Sequence, residues 1–483
     1  MIRILFEDRK GNGMIDSADF WTGEEVKLPQ MLDAREYRAY RQYVLLKEYH
    51  LPLLCFTMNI AGPVKKNLLV EKGFDDGRRN VLLQMERFKV KCVHEEIIKE
   101  VTGCEAYYVA ETDPYFLKKI VCELEDYDEL GRLYDLDVLY MTDHGEIRKI
   151  DREEVGSEGR KCLLCGRPAK ECSSRRIHSV PELQRKTSGI LMKHALEQSS
   201  LRIAEYAVRA LLYEVCVTPK PGLVDRRNSG SHTDMDIYTF LNSSASLYPY
   251  FMECAGIGQQ SFQDDPSSVF EKIREAGKKA EREMLRASNG VNTHKGAVFT
   301  MGLLAAASGR ISIRKFAYPE EVISAENILD ECARMTAGIT EKDFAGVTKE
   351  NALTAGQKLF AEYGIAGVRG QMEAGLPAVR NDGLPLLKQL LSEGKSNDEA
   401  GYTVLLKMIA VSEDTNLIHR GSIEVQRKKA KEAEEILAGQ GCPSADEMEQ
   451  LDSEYIKENL SPGGSADLLA ACWYLYFLES EGE

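Results

Sequence analysis

Asp135 and Asp137 stand two residues apart in GRLYDLDVLY, Gly131–Tyr140. In a strand that spacing sets both carboxylates on one face with Leu133 and Leu139, while Tyr134, Leu136, Val138 and Tyr140 take the other. Like charges so placed repel by on the order of 1 kcal/mol, and a divalent cation bridging them to a polyphosphate removes that cost. This is the carboxylate pair of a nucleotidyl transferase, although an edge strand with two solvated aspartates has the same spacing. Arg132 is placed to hold a phosphate or to pair with a neighbouring acid. Asp151 reads as a third carboxylate or as a surface acid.

CLLCGRPAKECSSRRIH spaces Cys162, Cys165, Cys172 and His178 as C-x2-C-x6-C-x5-H, three thiolates and an imidazole able to close a tetrahedral zinc site. The first spacing is that of a zinc knuckle and the others are unusual. Reduced cysteines in a phosphate-gripping loop with Arg167, Lys170, Arg175 and Arg176 are the other reading.

TPKPGLVDRRNSGSHTDMD, Thr218–Asp236, packs Lys220, Asp225, Arg226, Arg227, His232, Asp234 and Asp236 into a segment that Pro219, Pro221, Gly222 and Gly230 keep irregular. A loop this charged predicts a site, although Asp234 alone reads equally as the cap of a helix starting at Met235. GVNTHKGAVFTMG, Gly290–Gly302, predicts a helix capped by Thr293 with His294 and Lys295 in its first turn, where unpaired N–H groups and a cation converge on a phosphate. Tight helix packing explains its glycines as well. YGIAGVRGQMEAGLP, Tyr363–Pro377, spaces Gly364, Gly367, Gly370 and Gly375 around Arg369 and Glu373, the pattern of a flexible loop closing on a ligand. SEDTNLIHRG, Ser412–Gly421, adds Glu413 and Asp414 for Mg2+ and His419 and Arg420 for phosphate, unless it is only a helix end followed by a new N-cap.

The elements that must position these residues fall into two groups. Gln30–His50 has helical apolar spacing, Leu51–Ile60 reads as a buried strand, and Val81–Val101 predicts a second helix. A short strand near Tyr107–Ala110, a helix from Pro114 and a strand over Leu133–Tyr140 complete an α+β, nucleotidyltransferase-like domain. From about Ile190 the pattern turns helical, as in Leu201–Val217, and predicts an all-α second domain. The expected division is 1–185 and 186–483.

A chain of 483 residues with 43% hydrophobic and 29% charged residues is an ordinary globular composition with room for more than one core. With Lys+Arg 62 against Asp+Glu 77 the net charge is −15, which disfavours nucleic acid as a partner. The opening MIRILFEDRK lacks the apolar centre of a secretory signal, and the apolar stretch Gly296–Ser308 is shorter than the roughly 20 residues of a membrane span. The expectation is a cytoplasmic chain, its twelve cysteines reduced and no membrane among its partners.

FTMNIAGPVKKN, GRLYDLDVLY and CLLCGRPAKECSSRRIHSVPEL, in that order, resemble the holo-citrate-lyase synthase family over nearly all of 1–185. That resemblance implies transfer of a phosphoribosyl-dephospho-CoA unit from its triphosphate donor to a serine of the citrate lyase acyl-carrier (gamma) subunit, with release of pyrophosphate. It implies Mg2+ at Asp135 and Asp137, with Asn59, Lys65 and Arg132 against the donor. The motifs of the second half, with SPGGSADLLAACW (Ser461–Trp473), resemble the triphosphoribosyl-dephospho-CoA synthase family over 190–483. That family joins the ribose of ATP through its anomeric carbon to the 2'-hydroxyl of dephospho-CoA and expels adenine, so the two halves would make and use one intermediate. One departure is Gln371, where the family has an acid after Arg-Gly; Glu373 is the nearby acid expected to replace it.

Displacement of adenine through an oxocarbenium-like state asks for a base at the 2'-hydroxyl, expected at Asp234 or His232, and an acid for the purine. Mg2+ on Asp225 and Asp414, together with Lys220, Lys295 and Arg420, would neutralise the triphosphate, with Glu413 at the same centre. Arg226, His294, Arg369, Glu373 and His419 complete the expected substrate contacts. A non-enzymatic ATP-binding adaptor of an acyl-carrier subunit, and the same chemistry serving malonate decarboxylase, are the competing readings.

Overall fold

The apolar run LLCFTM, Leu53–Met58 (β1), is buried on both sides over its first four residues and forms the middle of a five-stranded sheet. Lys91–Glu100 (β2), Gly103–Glu111 (β3), Tyr134–Met141 (β4) and Ile147–Lys149 (β5) complete it in the order β2-β3-β1-β4-β5, every neighbouring pair antiparallel. The structure is a computed structural model and describes residues 21–318 and 320–481; the signal-peptide reading of residues 1–10 lies outside them.

Side chains alternate across this sheet. On one face Phe56 stacks on Phe74 of the helix Leu68–Arg87, centroids 5.0 Å apart, and Leu136 and Val138 are fully buried. On the other, Leu53, Cys55, Tyr107, Val109 and Leu139 lie under Leu45 and Leu46 of the helix Leu28–Tyr49. Asp135 and Asp137 belong to this second face, opposite Thr57 and Cys55 of β1. β5 pairs with β4 only at Leu139–Met141, so beside Asp135 and Asp137 the far side of β4 has no strand partner.

One sequence expectation fails here. Val81–Val101 is not one helix: the helix ends at Arg87 and Lys91–Glu100 is β2. The helical charge spacing of KCVHEEIIKE is overridden by pairing with β3 along its whole length, and its acids are taken by other elements, Glu95 by Arg78 and Glu96 by Arg41. The helix Pro114–Tyr127 starts at the expected proline behind an Asp113 cap.

The chain divides into two compact units, Met1–Ala195 and Leu196–Glu483. The helix Val180–Cys216 contains both residue 185 and this division. In the second unit the described residues form helices and no strand. Its core centres on the helices Lys295–Ala317, Asn397–Val411 and Gly463–Glu481. Lys295–Phe316 is long and apolar enough to cross a membrane by composition, yet its apolar residues from Ala297 to Ile313 are core residues. Gly309 lets this helix press on another, because a Cβ there would meet the Ala255 carbonyl oxygen at 2.2 Å.

Candidate active sites

In the first unit, β4 presents Asp135 and Asp137 to a cavity of about 490 Å³ that Lys149, Arg160, Lys161 and Lys170 also line. Lys149, from neighbouring β5, bonds Asp137 at 2.6 Å, whereas Asp135 makes no hydrogen bond or ion pair with a described residue. Burial and the nearby Asp137 push the Asp135 carboxyl above its ordinary range. Behind the strand, buried Glu125 accepts from the Leu136 N–H at 2.9 Å and pairs with Arg152 and Arg160, and Arg160 also donates to the Tyr134 carbonyl. The backbone carrying the pair is therefore fixed from below by charge-assisted bonds. Asp151 borders the same cavity from the surface.

A larger cavity of about 930 Å³ shares Glu125, Arg160, Lys161 and Lys170 with the first. Asn59 and Arg132 line it. Lys65 does not: its ammonium folds onto the Ile60 carbonyl at 2.6 Å, and burial and Arg35 lower its pKa. The four ligand atoms of Cys162, Cys165, Cys172 and His178 lie within 4.8 Å of one another. Cys165 Sγ is 3.4 Å from Cys172 Sγ and 3.2 Å from His178 Nε2, with no disulfide formed. The turn from Cys162 to Arg167 closes by paired backbone bonds, as a knuckle requires. Hydrogen bonds from the Arg167 backbone and His178 lower the Cys165 thiol to about 6, while Cys172 is pushed up to about 12 by burial and by its sulfur neighbours. Arg132 donates to the carbonyls of Lys161 and Cys162, so this cluster is tied to the start of β4.

The second unit holds a cavity of about 380 Å³ on which five of the sequence motifs converge. Glu214, at the end of the helix Val180–Cys216, pairs with the buried Lys220 ammonium, which also donates to the Glu214 carbonyl at 2.8 Å. His232 contacts Ser461 Oγ through Nε2 at 2.9 Å and Arg420 through Nδ1 at 3.1 Å; burial and Arg420 lower its pKa. His294, 3% exposed, accepts at Nδ1 from Ser243 Oγ (2.7 Å), which itself accepts from Thr293 Oγ1 (2.7 Å). That chain suits the Nε2–H tautomer, and Nε2 is buried without a partner. Burial and Lys220 lower its pKa to about 3, so the ring is a neutral donor. Glu413 and His419 border the cavity and are exposed. Lys295 borders it too, and with Gly296 and Val368 it also lines an adjoining cavity of about 520 Å³ that contains Arg369, Arg274 and Phe299.

Several expectations are corrected. Asp414 is an N-cap: Oδ1 accepts from the N–H groups of Asn416 and Leu417, and Oδ2 from Ser465 N and Oγ. Asp225 is a loop staple, its oxygens taken by the N–H groups of Lys220, Arg227 and Asn228. Asp414 has both oxygens doubly occupied, whereas Asp225 Oδ2 accepts a single hydrogen bond. Asp236, not Asp234, caps the next helix, Ile237–Ser246; Asp234 is exposed, 3.9 Å from His232 and outside the cavity lining. The helix at Lys295 has His294, not Thr293, as its cap residue. Arg226 is held by Asp398 and Thr218 away from the cavity. The glycine-rich segment is not a loose loop but contains the helix Val368–Glu373, opened by Gly367 at φ 58°. Within it Glu373 accepts from the N–H groups of Gly338 and Thr340, Arg369 pairs with Asp343, and Gln371 faces the cavity with a buried, unpartnered Oε1. Glu373 therefore does not replace the missing acid.

Glu214 and Asp467 are cavity residues that sequence reasoning missed. Glu214 looked like one polar position on an apolar helix. Asp467 lies inside the quoted motif SPGGSADLLAACW, where its single charge among small and apolar residues was the available signal.

Two catalytic-type clefts on an α+β unit and an all-helical unit define a two-part transferase. The family model for apo-citrate lyase phosphoribosyl-dephospho-CoA transferase matches residues 26–194, and that for ATP:dephospho-CoA triphosphoribosyl transferase matches residues 200–483. The CitXG protein of Haemophilus influenzae is 33% identical over 467 residues, 95% of this chain and 97% of that protein. The CitXG protein of Leuconostoc mesenteroides subsp. cremoris is 32% identical over 475 residues, 94% and 98% of the two chains. A 2-(5''-triphosphoribosyl)-3'-dephosphocoenzyme-A synthase of Haemophilus ducreyi is 37% identical over 321 residues, 64% of this chain and 97% of that enzyme. The chain belongs to the family of fused CitXG proteins, with a CitX part followed by a CitG part. It is a bifunctional transferase of citrate lyase prosthetic-group synthesis.

Proposed function

We propose that the second unit condenses ATP with dephospho-CoA, releasing adenine, and that the nucleotidyltransferase-like first unit passes the product to a serine of the citrate lyase gamma subunit, releasing pyrophosphate. The observation that carries this reading is the joining of the 380 Å³ and 520 Å³ cavities through Lys295, Gly296 and Val368, which gives two large nucleotides adjacent places. His232 anchors the cavity through Ser461 and Arg420, while Glu413, exposed and without a partner among the described residues, accepts the proton of the 2'-hydroxyl. Lys295, His419 and Arg420 supply positive charge toward the triphosphate, and Arg369 does so in the adjoining cavity. Asp414, with both oxygens filled, carries no step through Mg2+.

In the first unit Asp135 and Asp137 fit a divalent cation, because Asp137 alone has an ion-pair partner, Lys149, and the Asp135 carboxylate makes no hydrogen bond or ion pair with a described residue. Bound there, Mg2+ would neutralise charge at the α-phosphate under attack. Arg160 fixes the strand, and Asn59 and Arg132 hold the donor in the adjoining cavity. Cys162, Cys165, Cys172 and His178 fit zinc, which would act structurally beside Arg132.

The test is chromatographic detection of adenine after incubating the full chain with ATP, dephospho-CoA and Mg2+. Adenine formed only when dephospho-CoA is present supports the reading, and ATP bound without turnover would favour an adaptor. Adding the citrate lyase and malonate decarboxylase carriers in parallel then identifies the acceptor; labelling of the second alone would overturn that assignment. Both reactions are expected in the cytoplasm, where ATP and dephospho-CoA occur.

A further inference from the structure

We propose that Asp467 is the proton donor to adenine as it leaves the ribose. The inference rests on the synthase reading of the second unit. Asp467 lines the same cavity as His294 and Gln371, and it makes no hydrogen bond or ion pair with any described residue. Among its cavity neighbours, Lys220 is committed to Glu214, and both Asp414 oxygens are filled. Asp467 thus faces two acids, Glu214 and Asp414, and no cation answers its own charge. Desolvation, reinforced by those acids, raises its pKa well above the ordinary carboxyl range, the direction a proton donor requires.

The carboxyl is also held in place. A Cβ on Gly296 would lie 1.9 Å from Asp467 Oδ2, so the first turn of the helix Lys295–Ala317 closes directly over it. Two buried groups left unpartnered in the same cavity lining, His294 Nε2 and Gln371 Oε1, are uncharged. A neutral donor and an amide oxygen suit a purine edge, whose ring nitrogens accept and whose amino group donates.

The step balances without a further reactant. The 2'-hydroxyl oxygen of dephospho-CoA forms its bond to the anomeric carbon of ATP as the bond to adenine N9 breaks, and the electron pair leaves on the purine. Asp467 gives its proton to a ring nitrogen of that purine and becomes a carboxylate. The hydroxyl proton goes to Glu413, and exchange through solvent restores both groups. The arrangement separates an exposed carboxylate acting as base from a half-buried carboxyl acting as acid.

The experiment compares ATP with N7-methyl-ATP, whose cationic purine departs as a neutral base and needs no proton. In the full chain, Asp467→Asn is expected to slow adenine release from ATP by about 10²- to 10⁴-fold. Release of 7-methyladenine should fall by less than about tenfold, with ATP affinity measured by calorimetry kept within about threefold. Equal losses on both substrates, or full activity on ATP, would overturn the assignment. Should the variant not fold, the unaltered chain provides the same contrast. Its rate on ATP should decline at alkaline pH as the donor loses its proton, while its rate on N7-methyl-ATP should not, and parallel profiles would overturn the proposal. Absence of adenine release by the unaltered chain is a separate outcome that removes the synthase reading itself.

Discussion

Arg132 donates to the carbonyl oxygen of Cys162 at 3.3 Å, and to that of its neighbour Lys161 at 2.9 Å. The residue that leads into the aspartate strand is therefore clamped to the backbone of the first cysteine of a four-ligand cluster, and order in one carries to the other.

It follows that metal at the cluster supports transfer without entering its chemistry. The purified chain is expected to carry zinc by mass spectrometry, and Cys165→Ser to lose it. Carrier labelling should then fall by about tenfold or more, as outer supports of metal sites typically show. Adenine release, which belongs to the other unit, should stay within about twofold. A zinc-free protein with full labelling would remove the metal.

The aspartate pair separates stability from activity. Asp135 is pushed up by burial and then by Asp137, so its folded pKa exceeds its unfolded one, and the ionised form costs stability as pH rises past the unfolded value. Asp135→Asn should therefore raise the stability of the first unit at pH 7 by about 1 kcal/mol, the scale of a like-charge pair. Carrier labelling by the same variant, and by Asp137→Ala, should drop by about 10²- to 10³-fold. Lys149→Met tests the counter-charge; it should destabilise the unit, because Asp137 loses its 2.6 Å partner. Denaturation and labelling assays on the three variants read these effects apart.

Much of this was legible in the sequence for a physical reason. Strand periodicity is local, so the common face of Asp135 and Asp137 could be read from their spacing, and the C-x2-C turn announced its own geometry. Acceptor occupancy depends on how the chain turns, not on residue type. Asp225 and Asp414 have the residue type of a Mg2+ ligand, but the Asp225 oxygens are reached by N–H groups two to five positions away that only the folded loop brings to them, and Asp414 also by Ser465, 51 positions on. Strand β2 was misread because its charges fit a helix and only the partner strand β3 decides otherwise. Asp467 escaped because a lone acid in an apolar helix becomes informative only when its neighbours are known.

His294 makes the second unit sensitive to acid. Its folded pKa of about 3 lies below the unfolded imidazole value of about 6.5, so the unfolded chain binds the proton more readily between these values. Its contribution is complete above about pH 6.5 and declines as pH falls, reaching a loss of about 2 kcal/mol near pH 5. His294→Gln should flatten this dependence in calorimetric unfolding between pH 7 and 5. An unchanged slope would mean that the folded state leaves the pKa of the ring undepressed.

Gly296 permits the closest approach in the synthase cavity, and the smallest addition there should be felt at once. A methyl group would meet Asp467 Oδ2 at 1.9 Å, a separation that requires the carboxyl or the helix start to move. Because Gly296 also lies where the two cavities join, displacement affects both the proton donor and the path between nucleotides. Gly296→Ala should therefore lower the turnover number for adenine release by about 10²-fold, on the scale of a misplacement near 1 Å. Transfer of preformed triphosphoribosyl-dephospho-CoA to the carrier should proceed at its ordinary rate in the same chain. Unimpaired adenine release would show that Asp467 turns aside without cost, and that the approach of helix to carboxyl is packing alone.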